Sequence, residues 1–363
     1  MNPQRVRPTK QIADLVANDA VLAARLSLIR RFAAHIKVGG YHLTNACNIR
    51  CKGCWFFVHD YDTKTKDNKD IAVLKQFVGD EIARGINAAI IYGGEPTLFP
   101  NRLKVYVERL KYIQVVTNGI RRLSRDDFPN TALLISLFGG GDLDDELRAI
   151  KPNGTRFSGL FDTALTNYHN DPRATWLYAI TEDGVDRMAD TVQKIHDNGN
   201  RVTFNFYSRY GQDDALSKSR EDGAARLIDE AIRLKTLYPQ TVLSSPYYIR
   251  TIVTGRSHWG EFGYDTCPCI SVGHPAHAER KQNGNKYLPL FNTWAADCET
   301  INFCCTSGSC HECRDSQAVN SWMMVSMERF LGSKEQLVDW VEIAEGYWQQ
   351  FCWYPYRTEV GNA

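Results

Sequence analysis

Ten of the eleven cysteines of this 363-residue chain fall into two groups, with only Cys352 standing alone, and this distribution constrains the fold more than any other feature. Three of them, Cys47, Cys51 and Cys54, occur within eight residues, and seven more lie between positions 267 and 313. Residues 55–266 contain none. Cysteines that only filled a hydrophobic core would be scattered along the chain. The grouping therefore predicts two separate metal-binding regions, one near each end.

Composition and charge narrow the class of protein. Hydrophobic residues make up 43% and charged residues 23%, which is typical of a globular domain. Lysine plus arginine total 43 and aspartate plus glutamate 42, so the net charge of +1 offers no general attraction for a polyanion, and we expect no nucleic-acid partner. The sequence has no apolar run of about 18 residues and no apolar signal core, which predicts no membrane association and a cytoplasmic location. Disulfides do not persist in that compartment, which again favours metal binding.

Short apolar runs alternate with segments of helical periodicity from residue 41 onward. Alternating strands and helices predict βαβ units and hence an α/β fold with a parallel sheet. The count fits a partial (β/α)6 barrel as well as a doubly wound sheet, and periodicity alone does not separate them. The predicted strands are 41–44, 88–92, 113–117, 133–138, 176–180 and 202–207, and the predicted helices are 70–84, 102–111, 144–150, 182–198 and 224–237.

The chain divides into four predicted regions. Residues 1–40 carry apolar positions at helical spacing and form a helical segment that we expect to end at Gly39-Gly40. Residues 41–240 hold the alternating strands and helices. Residues 241–315 are rich in cysteine, glycine, histidine, proline and aromatic residues without a clear helical period, which predicts a small metal-bound module. Residues 316–363 contain two closing helices, at 316–330 and 335–351.

The first cysteine group has the spacing of a single metal-binding loop. Three thiolates select iron–sulfur clusters or zinc. Three ligands for a four-iron cluster leave one iron open to a substrate or cofactor. A structural zinc site usually needs four ligands, and His42 or His59 could supply the fourth. The zinc alternative would make the chain a non-catalytic binding module.

Cys47-x3-Cys51-x2-Cys54 follows the first predicted strand, and a second motif, Gly93-Gly94-Glu95-Pro96, follows the second. Together these motifs resemble the radical S-adenosylmethionine (SAM) superfamily. The resemblance implies a partial (β/α)6 TIM-type barrel with a cysteine-rich C-terminal extension and flanking helices. It also implies that the three cysteines hold a 4Fe-4S cluster whose open iron binds SAM. The SAM-binding residues that it implies are Gly93, Gly94, Glu95, Asn118 and Ser136.

One position departs from the family pattern. The family places an aromatic residue immediately before the third cysteine, where it helps to seat adenine. Here that residue is Gly53, and Trp55-Phe56 follow the cysteine instead. We therefore expect the adenine to be seated differently.

The resemblance implies a reaction type but no specific substrate. Such an enzyme cleaves SAM reductively with one electron from a donor such as flavodoxin or ferredoxin, and the 5′-deoxyadenosyl radical abstracts hydrogen from its substrate. We expect a small-molecule biosynthetic substrate. The alternative is a maturase of a ribosomal peptide. Many such maturases carry an added leader-binding domain, and the 40 residues before the first predicted strand are too few for it, which makes a peptide substrate the less favoured interpretation.

The second cysteine group loosely resembles the C-terminal auxiliary-cluster modules of radical SAM enzymes, the SPASM and Twitch types. Cys310-x2-Cys313 forms a good chelating pair, and upstream cysteines could complete a site. We expect one auxiliary iron–sulfur cluster, with structural zinc as the alternative. The expected ligands are Cys269, Cys305, Cys310 and Cys313, which leaves Cys267, Cys298 and Cys304 unassigned.

Overall fold

The computed structural model describes residues 8–206, 223–255, 271–273, 290–302, 314 and 316–351. Eight strands lie within these ranges: β1 Val38–His42, β2 Ala88–Tyr92, β3 Tyr112–Thr117, β4 Thr131–Leu137, β5 Ala174–Ile180, β6 Arg201–Phe206, β7 Thr293–Trp294 and β8 Ile301–Asn302. The α-helices are α1 Pro8–Val16, α2 Ala20–His35, α3 Trp55–Val58, α4 Tyr61–Lys64, α5 Ile71–Ala83, α6 Pro100–Val107, α7 Gly141–Arg148, α8 Leu160–Asn167, α9 Val185–Asp197, α10 Gly223–Leu237, α11 Pro246–Thr254, α12 Ser316–Val325 and α13 Lys334–Phe351. Short 3-10 helices cover Pro96–Leu98, Glu182–Gly184 and Met327–Phe330.

All eight strands belong to one sheet in the order β6-β5-β4-β3-β2-β1-β7-β8. Strands β1 to β6 pair in parallel with their sequence neighbours, β7 adds in parallel to β1, and β8 is antiparallel to β7. Within the described ranges β6 and β8 are the free ends of this sheet, so it is not closed into a ring. The predicted partial (β/α)6 barrel is therefore confirmed, and the strands β7 and β8 extend its sheet beyond β1.

The two faces of the sheet differ in polarity because side chains alternate along each strand. One face is covered by helices and carries the main apolar core. Trp176 of β5 lies there and packs edge-on against Phe161 of α8, with ring centroids 5.2 Å apart. The register pairs Ser136 with Leu177 and Leu177 with Thr203, so these residues share the opposite face, called here the inner face.

The helices at the two ends of the described chain pack against each other. Arg25 of α2 donates two hydrogen bonds to Glu345 of α13 at 2.9 and 2.7 Å. Phe32 and Trp348 of the same two helices lie with ring centroids 6.4 Å apart. No helix in the described parts of the chain is long and apolar enough to cross a membrane.

The expected helix stop at Gly39-Gly40 is wrong. Helix α2 ends at His35, and both glycines lie inside strand β1. A Cβ atom on Gly40 would overlap the hydroxyl of Tyr92 on the neighbouring strand. Glycine at this position therefore makes room for a tyrosine of β2 and does not end a helix.

Candidate functional site

The residues predicted to form the site lie at one edge of the sheet. The cysteine loop, residues 43–54, follows the carboxyl end of β1. Gly93 and Glu95 follow β2, Asn118 follows β3, and Ser136 is the next-to-last residue of β4. The strands are parallel, so their carboxyl ends share one edge, which is where α/β sheets and barrels place their ligand sites.

The start of the cysteine loop is held by one carboxylate. Asp67 Oδ1 accepts a hydrogen bond from the Asn45 backbone N–H at 2.6 Å, and its Oδ2 accepts one from the Thr44 hydroxyl at 2.6 Å. The charge of Asp67 is paired with Arg102 at 3.1 Å, and both side chains are nearly buried. This ion pair fixes the direction in which the chain leaves β1.

The far side of the loop rests on the C-terminal end of helix α7. The backbone N–H groups of Arg50 and Lys52 donate to the carbonyl oxygens of Ile150 and Leu147 at 2.7 and 2.8 Å. Beneath them, a small apolar cluster packs against the side chains of Cys47 and Cys51. Its buried members are Ile49, Ala149 and Leu160.

The Gly93-Gly94 turn contacts the cysteine loop directly. Gly94 N–H donates to the Thr44 carbonyl at 2.8 Å, and Glu95 N–H donates to the Ala46 carbonyl at 2.8 Å. A Cβ atom on Gly93 would lie 2.8 Å from the Thr44 oxygen, and one on Gly94 would lie 2.5 Å from the Ala46 carbonyl carbon. The family resemblance implied that these glycines bind SAM. In the structure it is the loop backbone that occupies the space beside them.

The Glu95 carboxylate is buried and accepts hydrogen bonds from neighbouring residues. Its Oε1 accepts hydrogen bonds from the Thr97 N–H and hydroxyl at 3.1 and 2.6 Å and from the Thr117 hydroxyl at 2.7 Å. Its Oε2 accepts only one of these hydrogen bonds, from Asn118 N–H at 2.8 Å. Burial raises the pKa of the Glu95 carboxyl, and the four hydrogen bonds oppose that rise. Oε2 retains capacity to accept a further donor.

Asn118 joins the third strand to the cysteine loop. Its side-chain N–H donates to Asn48 Oδ1 at 2.7 Å, and its own Oδ1 accepts from Ile120 N–H at 3.0 Å. Asn118 therefore has a structural role in the loop.

Ser136 is half-buried on the inner face, and its carbonyl oxygen accepts a hydrogen bond from Arg148 at 2.5 Å.

The three thiols are free, partly buried and supplied with hydrogen-bond donors. Burial raises the pKa of Cys47 and of Cys51 to about 12 and raises the pKa of Cys54 as well. Donors that favour each thiolate oppose this effect: Ile49 N–H at Cys47, the Arg148 guanidinium at Cys51, and the N–H groups of Phe56 and Phe57 at Cys54. The apo loop therefore carries neutral thiols that a cationic centre would have to deprotonate.

Comparison with known proteins gives one matching family model and several similar solved structures. Residues 41–215 match the family model of the Radical SAM superfamily. These residues form a radical SAM domain. Similar solved structures include SuiB from Streptococcus suis bound to S-adenosylmethionine, at 16% identity and a TM-score of 0.42 over 59% of this chain and 52% of that one. The anSMEcpe structure with bound AdoMet and the Cp18Cys peptide matches at 13% identity and a TM-score of 0.46 over 60% of this chain and 66% of that one.

A third similar structure is the FeFe-hydrogenase maturase HydG from Carboxydothermus hydrogenoformans, at 13% identity and a TM-score of 0.38 over 69% of this chain and 65% of that one. The chain thus spans between about half and two thirds of the length of these structures. No curated protein matches the sequence.

The thiols of the radical SAM domain fit an iron–sulfur cluster by their chemistry. Three thiols in one partly apolar loop form a soft donor set of the kind that such clusters use. Within the described residues, no three Cys, His, Asp or Glu side chains are arranged so that they could hold a single metal ion. The thiolates of a four-iron cluster each bind a different iron, so the cluster does not require that convergence.

His42, one of the two candidates for a fourth zinc ligand, is packed among aromatic side chains. Its ring lies among Trp55, Phe56, Tyr61 and Tyr92, with centroids 5.1–5.7 Å away. Burial lowers the pKa of His42 to about 3, so the ring is neutral.

Two features of the radical SAM domain were missed or left unexplained by sequence reasoning. Asp144 and Arg148 form an ion pair at 3.0 Å, nearly inaccessible to solvent, beside Cys51. An acid and a base four residues apart on a predicted helix are the signal that could have suggested it. Gly53 has φ +64°, a left-handed conformation that disfavours the aromatic residue usual in the family.

The second cysteine group is represented in the structure only by Cys298. Its side chain is half-buried, and its backbone has φ +67°. The expected auxiliary ligands Cys269, Cys305, Cys310 and Cys313 lie outside the described residues, as do Cys267 and Cys304.

Proposed function

We propose that this protein is a radical SAM enzyme that cleaves S-adenosylmethionine reductively and abstracts hydrogen from a small-molecule biosynthetic substrate. The observation that carries the proposal is the position of the three free thiols. They lie in a loop of the radical SAM domain, at the carboxyl edge of its parallel sheet, and the backbone of that loop is hydrogen-bonded to the turn that bears Glu95.

In this proposal Cys47, Cys51 and Cys54 hold a 4Fe-4S cluster, which when reduced supplies the electron that cleaves bound SAM to give the 5′-deoxyadenosyl radical. The chain's own groups orient the reactants and stabilise charge. The donors at each sulfur stabilise the thiolates after their protons leave. Gly93, Gly94 and Glu95 bind the SAM ammonium, with Glu95 Oε2 as the acceptor that has capacity left.

Asn118 and Ser136 are the proposed contacts to the rest of SAM, and the inner face provides the substrate site. Half-buried residues near the carboxyl ends of the strands mix polar and apolar groups, as a small organic ligand requires. These positions are Tyr92, Val116, Ser136, Leu177 and Asn205.

We further propose one auxiliary iron–sulfur cluster bound by Cys269, Cys305, Cys310 and Cys313, and a cytoplasmic location. The spacing of the second cysteine group supports the cluster. The free state of the four described cysteines is in keeping with a reducing compartment.

An anaerobic iron and sulfide count tests both clusters. We expect wild-type protein to bind about four irons for each cluster and to form 5′-deoxyadenosine from SAM after reduction with dithionite. The Cys47→Ala/Cys51→Ala/Cys54→Ala variant should form none and should keep about four irons if the auxiliary cluster is present. Colourless wild-type protein that binds zinc and no SAM would overturn the proposal in favour of a binding module.

A further inference from the structure

One arginine of helix α7 lies against the middle cysteine of the loop. Backbone N–H groups from the residues on either side of Cys51 donate to the carbonyl oxygens of Leu147 and Ile150. Arg148 stands between these two acceptors in sequence, and its guanidinium is hydrogen-bonded to the Cys51 thiol. The main chain therefore holds Arg148 beside Cys51.

The guanidinium of Arg148 is buried and only partly supplied with acceptors. The side chain is 2% exposed, and its Nη1 donates to both Asp144 oxygens and to the Ser136 carbonyl. Its Nε is inaccessible to solvent and has no hydrogen-bond partner among the described residues. A buried N–H group without an acceptor is destabilising, so native proteins contain few of them and each requires an explanation.

An iron–sulfur cluster bound by the loop would account for this N–H group. The sulfide and thiolate sulfurs of such a cluster accept hydrogen bonds, and these bonds are one of the factors that set its reduction potential. Cys51 is a proposed ligand of the cluster and already contacts the same guanidinium. Arg148 is therefore a buried donor next to the sulfur atoms of the site.

The charge of Arg148 acts on Cys51 more strongly than the charge of its partner does. Burial raises the pKa of Cys51 to about 12, and Arg148 opposes this rise by more than Asp144 adds to it. The ion pair is neutral as a whole, but its positive member is the one that dominates at the cysteine. A positive charge and N–H donors at sulfur stabilise added negative charge, including an electron taken up by a cluster.

We infer that Arg148 raises the reduction potential of the 4Fe-4S cluster in the cysteine loop by donating hydrogen bonds to Cys51 and to cluster sulfur. The inference rests on the proposed function, because it requires a redox-active cluster bound by Cys51. One electron enters the cluster, and no bond is made or broken. The donated N–H groups stabilise the reduced form more than the oxidised form, so Arg148 makes the cluster easier to reduce.

The test is an anaerobic redox titration of the full-length protein with reconstituted clusters and without SAM. Electron paramagnetic resonance follows the reduced cluster, and the spectrum of the triple cysteine-to-alanine variant is subtracted to remove an auxiliary cluster. The principal variant, Arg148→Met/Asp144→Asn, removes the donor and leaves no unpaired charge. The control, Arg173→Met/Asp171→Asn, makes the same change in an equally buried ion pair that precedes β5 at the amino end of the sheet.

We expect the equilibrium constant for one-electron reduction to fall about tenfold or more in the principal variant, a decrease of about 59 mV, and to stay within about twofold of wild type in the control. Arg148→Lys should lie between the two, because it keeps the charge and loses the planar array of donors. With ¹⁵N-labelled arginine, pulsed electron paramagnetic resonance of the reduced cluster should show a nitrogen coupling that both Arg148 variants lose and the control keeps. A merely structural role for Arg148 would produce no such coupling.

A principal variant that binds its cluster with an unchanged potential would overturn this inference while leaving the proposed function intact. An unchanged potential with weaker SAM binding would assign Arg148 to the ligand and would also overturn it. If neither Arg148 variant binds a cluster, the labelled wild type decides, since the nitrogen coupling supports the inference and its absence overturns it. Wild-type protein with no reducible cluster in the loop would refute the proposed function, and this inference with it.

Discussion

Replacing Arg148 with methionine should destabilise the protein strongly, because it leaves a buried charge without its partner. Arg148 and Asp144 are 2% and 1% exposed, and Arg148 donates to both Asp144 oxygens at 3.2 and 3.0 Å. After the change, the Asp144 carboxylate retains the hydrogen bond from Phe138 N–H at 2.6 Å. Breaking a buried ion pair from one side costs about 3–5 kcal/mol, and we expect Arg148→Met to lower the free energy of unfolding by that amount.

The double variant Arg148→Met/Asp144→Asn separates charge from packing. The side-chain oxygen of the introduced asparagine can still accept from Phe138 N–H, so the remaining loss is mainly that of the hydrogen bond to the Ser136 carbonyl, about 1–3 kcal/mol. The double variant should therefore be more stable than the single variant by about 2 kcal/mol. Urea unfolding of the apo proteins, followed by circular dichroism, measures this difference. A single variant that loses less than about 1 kcal/mol, or a double variant that is less stable still, would refute the reasoning.

The pH dependence of the single variant provides a second check. Burial already raises the pKa of Asp144, and Arg148 opposes that rise. Without the arginine the folded-state pKa rises further above the unfolded value of about 3.9. A raised carboxyl pKa contributes stability that is present at low pH and is lost as pH rises through the folded pKa. The deficit of Arg148→Met relative to wild type should therefore be smaller at pH 5 than at pH 7.5.

Three further predictions concern the turn, the buried histidine and the buried glutamate. Gly94→Ala should lower the free energy of unfolding by about 1–3 kcal/mol and bound iron by more than half, because its Cβ atom would collide with the Ala46 carbonyl. The control Gly79→Ala on α5, where a Cβ atom meets nothing within 4 Å, should keep its stability and its bound iron. Equal iron contents in the two variants would contradict the steric argument. His42 has its pKa lowered to about 3 by burial, so wild type should lose stability as pH falls below about 6.5, with a slope of up to about 1.4 kcal/mol per pH unit. His42→Phe should lack that part of the slope. The same change in the free energy of unfolding between pH 7 and pH 5 in wild type and in His42→Phe would count against the prediction. Glu95→Gln places an amide N–H₂ group against N–H and hydroxyl donors that now bond to the carboxylate, so the free energy of unfolding should fall by about 1–3 kcal/mol. Calorimetry or urea unfolding measures this change, and an unchanged stability would contradict the prediction.

The alternation of strands and helices was predictable because the barrel buries continuous apolar runs. Each predicted strand from residue 41 to residue 207 overlaps an observed one. The inner face carries its own signal, since Gln114, Thr175, Thr203 and Asn205 recur at alternate positions within otherwise apolar strands. Polar residues with a period of two inside buried strands indicate a face that meets other polar groups.

Elements with little apolar periodicity were not predicted. Helix α11 lies in a region interpreted as having no helical period, although Ser245 caps its N-terminus and Pro246 occupies its first turn, which are ordinary start signals. Strands β7 and β8 have two residues each, and only pairing with β1 makes β7 a strand. Local sequence carries no information about a partner more than 200 residues away.

The residues assigned to the ligand from sequence are the same ones that hold the cysteine loop in place. Gly94 and Glu95 bond to the loop backbone through their N–H groups, and Asn118 bonds to Asn48. A substitution at any of them changes the loop as well as any contact with SAM. Loss of activity in such a variant therefore does not identify a SAM ligand. Iron content and SAM binding must be measured separately, and only a variant that keeps its iron and loses SAM affinity assigns the residue to the ligand. Ser136 is the best candidate for that test, because its hydroxyl makes no hydrogen bond within the described residues and only its backbone carbonyl contacts Arg148.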